Sequence, residues 1–377
     1  MAPFVIREER LAIRRQQFAR VTAGILGLAV LHIAGFITGS AHGQAALRDQ
    51  TSGLVAAAPG ERHKLRERFA GSFVDLSTYV GSGTFYTSGY SNPYVSNALF
   101  LRPTYDLGTP LRLTLNARVY FETEYTTPDT PNGRRFYPSD AWLFLTAKNL
   151  YTLPTAKVRF SGSLRAIIPT SYESRYAHLV TGLGASGSAT RLFDLGAVSG
   201  TDKRWTLLVN LGTGFTKYLR TSALRGNSPG DSTGCRQAGP PSGAGLSSVS
   251  SSDRCGGPLN TSFTFISSGM IALSRGPLAL SMTLAVINDF KYAIDPSTQL
   301  EIYSMTNQIP RGRNDMTWGI VSLGYEATEH LTVSVGLSSF QPALDSRYQN
   351  LRFPFFDFSG TNANNSTQAF VSLTGTL

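Results

Sequence analysis

The chain is poor in charged residues, in cysteine and in long apolar runs. Charged residues make up 15% of the 377 residues, against about 25% in an average soluble domain. Beyond the N-terminus, no stretch approaches the ~20 apolar residues that a transmembrane helix requires. The body of the chain is therefore not a bundle of membrane-spanning helices. Intrinsic disorder is excluded as well, because the sequence is rich in Leu, Val, Phe and Tyr, and disordered segments are poor in such residues.

The two cysteines, Cys235 and Cys255, lie in one stretch, residues 221–260, in which Ser, Gly and Pro make up more than half of the residues. In an oxidising compartment such a pair forms a disulfide, and closing a loop of this size stabilises the fold by about 3 kcal/mol. The alternatives are two free thiols or a metal site, for which a nearby histidine is missing. We predict a disulfide that staples a long loop, with no metal ion and no cofactor.

The only long apolar run covers residues 21–39. Five arginines precede it, and the small-residue segment SAHGQAA follows it. A basic region, an apolar region and small residues in this order are typical of a secretory signal peptide. The alternative is an uncleaved membrane anchor. We predict a signal peptide over residues 1–45 and hence an exported protein.

The chain is basic, with a formal net charge of +10. Nucleic-acid-binding proteins concentrate such charge in runs or along one helix face. Here the arginines are spread along the chain, and several occupy alternate positions of strand-like segments. We therefore expect no nucleic-acid partner.

Alternation of apolar and polar residues is the strongest local signal. Residues 111–125 read LRLTLNARVYFETEY, and successive side chains of a strand point to opposite faces. The segment thus has one apolar and one charged face. Alternation alone does not decide between a soluble sheet over a core and a membrane barrel with lipid outside and a polar lumen.

Segments of this kind recur along the chain, and the lengths of their connections decide the question. We predict twelve strands, with ten or fourteen as alternatives, over residues 71–84, 94–106, 111–125, 139–149, 156–168, 176–192, 204–218, 261–274, 278–291, 315–326, 331–340 and 366–377. Short and long connections alternate between them, and the longest covers residues 219–260. An even number of strands with short turns at one end and long loops at the other is the layout of a transmembrane antiparallel up-and-down β-barrel.

Two further features favour the same fold. Aromatic residues gather near the predicted strand ends, as expected at a bilayer interface. Ala369, Val371, Leu373 and Leu377 repeat at two-residue spacing up to an apolar C-terminus. This pattern resembles the C-terminal signal of bacterial outer-membrane β-barrels, although that family usually ends in Phe. The resemblance implies an outer-membrane location, assembly by the barrel-assembly machinery, and contact with outer-membrane lipid and lipopolysaccharide.

The predicted domains follow from these assignments. Residues 46–70 form a periplasmic segment with a short amphipathic helix at 61–70, and residues 71–377 form the barrel. The polar parity of the strands predicts the residues that line the lumen: Arg102, Arg112, Arg118, Glu122, Glu124, Lys157, Arg159 and Arg165. Arginine and lysine in a narrow pore favour anions, so we expect a channel for small solutes with an anion bias. The same residues also suit a network that only braces the wall.

The segment FPFFDF contains Phe353, Phe355, Phe356 and Phe358, which is unusual for a surface loop and requires burial. It predicts an apolar constriction or packing at the rim. The alternative function is a closed barrel that acts as a surface anchor or adhesin through its loops. A lipid-modifying enzyme is disfavoured, because neither His178 nor His330 stands in the His-x-Ser-Asn-Gly pattern of the outer-membrane phospholipase family.

Overall fold

The computed structural model describes most of the predicted barrel. It covers residues 68–81, 84, 94–109, 111–125, 135–197, 204–224, 259–295, 297, 312–343 and 367–377. Within these ranges, no helix has the length and apolar character needed to cross a membrane. The predicted signal peptide and most of the predicted periplasmic segment lie outside the described residues.

The described chain is almost entirely β-structure. Its fourteen strand segments, in chain order from β1 to β14, are Phe73–Gly81, Val95–Arg102, Thr104–Asp106, Leu113–Glu124, Arg135–Pro138, Ala141–Leu153, Val158–Ile168, Leu179–Ala197, Arg204–Arg220, Thr261–Arg275, Leu278–Lys291, Arg313–Thr328, Leu331–Pro342 and Thr367–Thr376. One short helix, α1 (Tyr172–Tyr176), follows β7.

These fourteen segments form twelve barrel strands, because two of the strands are interrupted. β2 and β3 pair with β4 in one common register and are separated only by Pro103, which has no N–H to donate to the ladder. β5 and β6 also share β4 as a partner, with a shift of one residue at Ser139 and Asp140 that marks a bulge. The prediction of twelve strands is therefore confirmed.

Every strand pairs antiparallel with its neighbours in sequence, and the first strand pairs with the last. β1 lies between β2 and β14, and β4 pairs with both β2 and β6. The sheet thus closes into a ring without a free edge. An up-and-down meander closed in this way is the predicted antiparallel β-barrel.

Connection lengths separate the two ends of the barrel. The connections at one end contain two to six residues, and those at the other end contain ten to forty. We call these ends the short-turn mouth and the long-loop mouth. β1 begins and β14 ends at the short-turn mouth. The segregation of connection lengths predicted from the sequence is confirmed.

The outer surface is apolar. Large side chains that alternate along the strands are exposed on it, among them Leu76, Leu115, Leu143, Leu164, Leu183, Leu211, Ile271, Leu280, Leu323, Val335, Val371 and Leu373. Their strand neighbours point inward and are mostly polar or aromatic. The alternation that begins with residues 111–125 thus places apolar residues outside, as lipid requires. The apolar residues of β14, including Val371 and Leu373, share this outer face.

Two local structures stabilise the barrel rims. At the long-loop mouth, the Ser171 hydroxyl caps α1 by accepting a hydrogen bond from the Ser174 N–H. Asp140, in the β5/β6 bulge, accepts hydrogen bonds from the Ser171 N–H at 2.9 Å and from the Ser174 hydroxyl. At the short-turn mouth, Arg68 donates a hydrogen bond to the Tyr105 hydroxyl at 2.7 Å. This contact raises the Arg68 pKa above its usual value, and it holds the described end of the N-terminal segment against the rim.

Candidate functional site

The barrel interior is packed unevenly. Inward-facing side chains of β1, β2, β4, β10, β11, β12 and β14, with Tyr94 beside them, form an apolar cluster that we call the inner core: Phe73, Tyr79, Tyr94, Ala98, Phe100, Tyr120, Ile266, Ala285, Ile287, Met316, Trp318, Ile320 and Phe370. Trp318 is 1% exposed and Ile287 is fully buried. This side of the lumen is filled by protein.

The opposite wall, built by β7, β8 and β9, is different. Over its middle and toward the short-turn mouth, the inward-facing residues are small and half-buried: Ser161, Ser163, Gly184, Ser186, Ser188, Thr190, Asn210, Gly212 and Gly214. Toward the long-loop mouth the same face is buried, with Ile167, Thr216 and Tyr218 at 2%, 1% and 2% exposure. Equally polar inward residues on the inner-core side, such as Thr114 and Thr264, are 0% exposed. Small side chains leave space in front of them, and we call this half-buried stretch of the wall the lane.

Hydroxyl pairs line this lane. Ser161 and Ser188 lie 2.7 Å apart between their hydroxyl oxygens, and Ser163 and Ser186 lie 2.6 Å apart. Farther along the wall, the Asn210 amide donates to the Thr190 hydroxyl at 2.6 Å. A hydroxyl group both donates and accepts hydrogen bonds. Each pair therefore forms a hydrogen bond between two strands and keeps further donor or acceptor positions for water in the lane.

Three arginines face the interior beside the lane. Arg102 of β2 stands opposite Arg118 of β4 in register, and Arg165 of β7 lies on the far side of β6. All three residues are half-buried. The sequence prediction placed these residues on the lumen face, and the structure brings them to one side of the interior.

Aromatic rings fix the arginine side chains. The guanidinium carbon of Arg118 lies 3.8 Å from the ring centre of Phe144, and that of Arg165 lies 5.3 Å from the ring of Trp142. Arg102 similarly lies 5.4 Å from Phe73. Such cation–π contacts are worth about 0.5–2 kcal/mol each and strengthen as water is excluded. The three positive charges are therefore held in place at the inner surface of the barrel.

Gly184 of β8 and Thr216 of β9 border the position that the Arg165 side chain occupies, which we call the Arg165 seat. Arg165 donates a hydrogen bond to the Thr216 hydroxyl. A Cβ at Gly184 would stand 2.6 Å from its Nε and would also contact the Phe215 carbonyl oxygen. Since real Cβ atoms do not approach so closely, only glycine leaves room for this guanidinium. The arginine position depends on a missing side chain one strand away.

The two predicted acidic residues of the lumen are kept away from the lane. Glu122 and Glu124 are 5% and 4% exposed. Glu122 accepts hydrogen bonds from the hydroxyls of Tyr120, at 3.0 Å, and Tyr94, and Ser96 donates to that Tyr94 hydroxyl at 2.9 Å. Both carboxylates face inward as predicted, but they lie within the packed side of the barrel.

Three predicted basic residues stand elsewhere than expected. Arg112 and Lys157 are in short turns with positive φ, 49° and 51°, and both are exposed. Their assignment to the lumen was wrong, because a turn residue in the left-handed region does not continue the strand alternation. Arg159 shares the inward face of β7 with Arg165, but it lies near the short-turn mouth with its side chain exposed.

The remaining predicted site residues lie outside the described residues. They are Phe353, Phe355, Phe356 and Phe358 of the proposed constriction, and Cys235 and Cys255 of the proposed disulfide. Both remain predictions.

The two histidines considered as catalytic candidates lie at opposite ends of the barrel. His178 lies at the long-loop mouth and His330 at the short-turn mouth, where its Nε2 is 3.3 Å from a carboxylate oxygen of Glu329. Among the residues that the structure describes, no group of three His, Cys, Asp or Glu side chains is arranged to hold a metal ion.

Sequence reasoning missed several parts of this site. Trp142, Phe144 and Thr216 were assigned no role, although each contacts one of the inward arginines. Their inward parity could be read from the sequence, but the arginine that each one meets depends on the stagger between strands. Gly184 was hidden in a glycine-rich segment whose alternation is weak.

Comparison with known proteins gives matches in structure only. Neither a protein-family model nor a curated protein matches this sequence. An outer-membrane channel from Pseudomonas putida F1 matches with a TM-score of 0.45 and 12% identity, over 85% of this chain and 100% of that one. An active-site variant of Escherichia coli outer-membrane phospholipase A matches with 0.34 and 10%, over 86% and 96%. A variant porin of Rh. blastica matches with 0.25 and 8%, over 81% and 98%.

Proposed function

We propose that this bacterial outer-membrane β-barrel is a channel for the passive movement of small solutes, with a preference for anions. One observation carries the proposal. The β7–β9 wall is lined by small, half-buried polar residues, and it lies beside three inward-facing arginines. A barrel filled only for stability would bury this wall as completely as it buries the opposite one.

The sign of the selectivity follows from the charges near the lane. Guanidinium groups remain charged in proteins, and a basic surface in a narrow, low-dielectric passage raises the local concentration of anions. The inward carboxylates Glu122 and Glu124 are buried on the packed side, and Asp194, on the inward parity of β8, is neutralised by an ion pair with Arg204 at 2.8 Å. The net field in the lane is therefore positive.

The test is the conductance of the refolded barrel in a planar bilayer under a salt gradient. We expect discrete conductance steps and a reversal potential that shows anion preference. In Arg118→Gln the anion-to-cation permeability ratio falls about fivefold, because a unit charge a few ångströms from an ion changes its energy by about 1 kcal/mol even in water-like surroundings.

A matched control uses the same substitution on the outer face. Arg191 of β8 stands opposite Val158 and Val209 on the outer side of the wall, with its guanidinium carbon 4.3 Å from the ring of Phe193. Arg191→Gln removes one positive charge without touching the lane, so its reversal potential stays that of the wild type. An equal shift in both variants would show that the selectivity does not arise from the inward arginines.

The second candidate is a closed barrel that serves as a surface anchor or adhesin through its long loops. The inner core favours it, because Trp318, Ile287 and their neighbours fill one side of the lumen. This candidate predicts no conductance from a barrel that is folded, as judged by heat-modifiable electrophoretic mobility. Outer-membrane lipid, lipopolysaccharide and the assembly machinery are the proposed partners under both candidates.

A further inference from the structure

We infer that Arg118 and Arg165 together form a binding site for an oxyanion inside the lumen, at which carboxylates or phosphates are held in preference to halides. The inference rests on the proposed function and refines it, since it names the chemical class of the favoured solute. The site consists of these two guanidiniums, the β6 rings that support them, and Thr216.

Both arginines lean over the same strand. In register, Arg118 stands opposite Trp142, and Arg165 stands opposite Phe144. Each guanidinium nevertheless lies against the other ring, Arg118 on Phe144 and Arg165 on Trp142. Both side chains therefore extend over β6, the strand between them. Their backbones are two strand spacings apart, about 10 Å, so an oxyanion in front of the β6 rings can contact both guanidiniums.

The support beneath them is rigid. The Trp142 and Phe144 rings stack with centres 6.0 Å apart and an angle of 28°, and they are 6% and 5% exposed. Gly184 and Thr216 position Arg165 from the other side. A side chain that is already held in place loses little freedom when it binds a ligand.

The planar shape of the guanidinium group favours oxyanions over halides. Guanidinium is a planar fork that binds carboxylate or phosphate through two parallel N–H···O hydrogen bonds, and such charge-assisted pairs are about twice as strong as neutral ones. A halide is a single sphere and takes no advantage of the fork. Arg102, opposite Arg118, adds positive potential on the side of the short-turn mouth.

The test uses charge-conserving variants. Chloride current through single channels is measured while inorganic phosphate, or in a separate arm acetate, replaces chloride at constant ionic strength. We expect the wild type to show concentration-dependent block. In Arg118→Lys and Arg165→Lys the anion preference persists, because the charge is kept, whereas the blocking constant rises about tenfold, because lysine lacks the fork. Arg191→Lys is the matched control and blocks like the wild type.

A second readout does not depend on conduction. Trp142 belongs to the site, so ligand binding changes its fluorescence, and Trp142→Phe identifies its share of the signal. Phosphate or acetate titrated into the folded barrel should change the wild-type signal and leave that of Arg165→Lys unchanged at the same concentrations. Block by one of the two anions alone identifies the favoured class.

The outcomes separate the two proposals. An anion-selective channel that phosphate and acetate neither block nor quench would overturn the oxyanion site and leave the proposed function intact. A barrel without conductance that still shows arginine-dependent quenching would overturn the channel and leave the site. Block of equal strength in Arg118→Lys, Arg165→Lys and the wild type would mean that only net charge matters, which contradicts the inference.

Discussion

The position of one guanidinium is set by residues on three other strands. Arg165 of β7 contacts a ring on β6, donates to a hydroxyl on β9 and lies where a side chain on β8 would stand. The charge is thus fixed by its surroundings more than by its own backbone. A substitution that leaves the arginine in place but fills its seat should alter the function of the lumen.

Gly184→Ala tests this dependence. The added Cβ would stand too close to both the Phe215 carbonyl oxygen and Arg165 Nε, so β8 and the guanidinium must shift apart, and we expect the anion-to-cation permeability ratio to fall about twofold or more. Gly187→Ala, three residues along β8, is the control, because its Cβ would meet only the Ser161 carbonyl oxygen at 3.7 Å. The measurement is the reversal potential of each variant in a planar bilayer under a salt gradient. Wild-type selectivity in a folded Gly184→Ala barrel would show that Gly184 does not set the position of the Arg165 charge.

The residue scale also shows where sequence reasoning succeeds and where it ends. Alternation assigns Arg118 and Arg165 to the same strand face as the other inward residues, because a strand keeps its parity along its length. It did not hold for Arg112 and Lys157, because both stand in the turn directly before a strand begins and adopt the left-handed region. Parity predicts the face of a side chain but not the residue at which the strand begins.

At the scale of elements, the β7–β9 wall differs from the rest of the ring because it lacks large inward side chains over its middle. β8, with nineteen residues, and β9, with seventeen, are the longest uninterrupted strands, yet the inward residues over their middle, at 184–190 and 210–214, are among the smallest. The sequence of β8 alternates weakly for the same reason, since small inward and apolar outward residues differ little in polarity. Its prediction as residues 176–192 was consequently too short at the C-terminal end.

A single bulky residue on this wall should close the lane. Ser186 points inward and is half-buried, and its neighbour Ala185 is exposed on the outer face. In Ser186→Phe we expect unitary conductance to fall by more than half, because an aromatic side chain occupies the space in front of the wall. Ala185→Phe adds the same ring on the lipid side and keeps the wild-type conductance. Equal conductance in both would place the ion path elsewhere.

At the scale of the whole molecule, the closed ring orients every strand in the bilayer. Leu164 lies halfway along β7 and is 60% exposed on the outer surface, and Leu195 lies near the short-turn end of β8 and is 47% exposed. The two leucines therefore lie at different heights on one wall, and we expect Leu164 near the bilayer midplane and Leu195 at or beyond the interface.

Arginine at these two positions measures the depth. We expect Leu164→Arg to lower the free energy of unfolding by about 2–4 kcal/mol and Leu195→Arg by about 0–1 kcal/mol, since the cost of a charge against lipid is greatest at the midplane. Urea titration of the barrel in lipid vesicles gives both values. If the two costs were equal, the bilayer would not be centred on the middle of β7.

The global architecture could be predicted more fully than the interior. Strand number, closure and the segregation of connection lengths follow from alternation and spacing along the chain. The division of the lumen into an inner core and an open lane does not, because it depends on which inward residues of distant strands meet. Phe73 beside Arg102 and Trp142 beside Arg165 are such meetings.

The hydrogen bond from the Thr374 hydroxyl to Asp75, 2.7 Å long, joins residues 299 positions apart. It belongs to the seam at which β14 meets β1. The ring stays open until this seam forms, and non-local contacts of this kind slow folding. A chain that has laid down eleven strands therefore still presents two unpaired edges to its surroundings, and its aggregation hazard ends only when the seam closes.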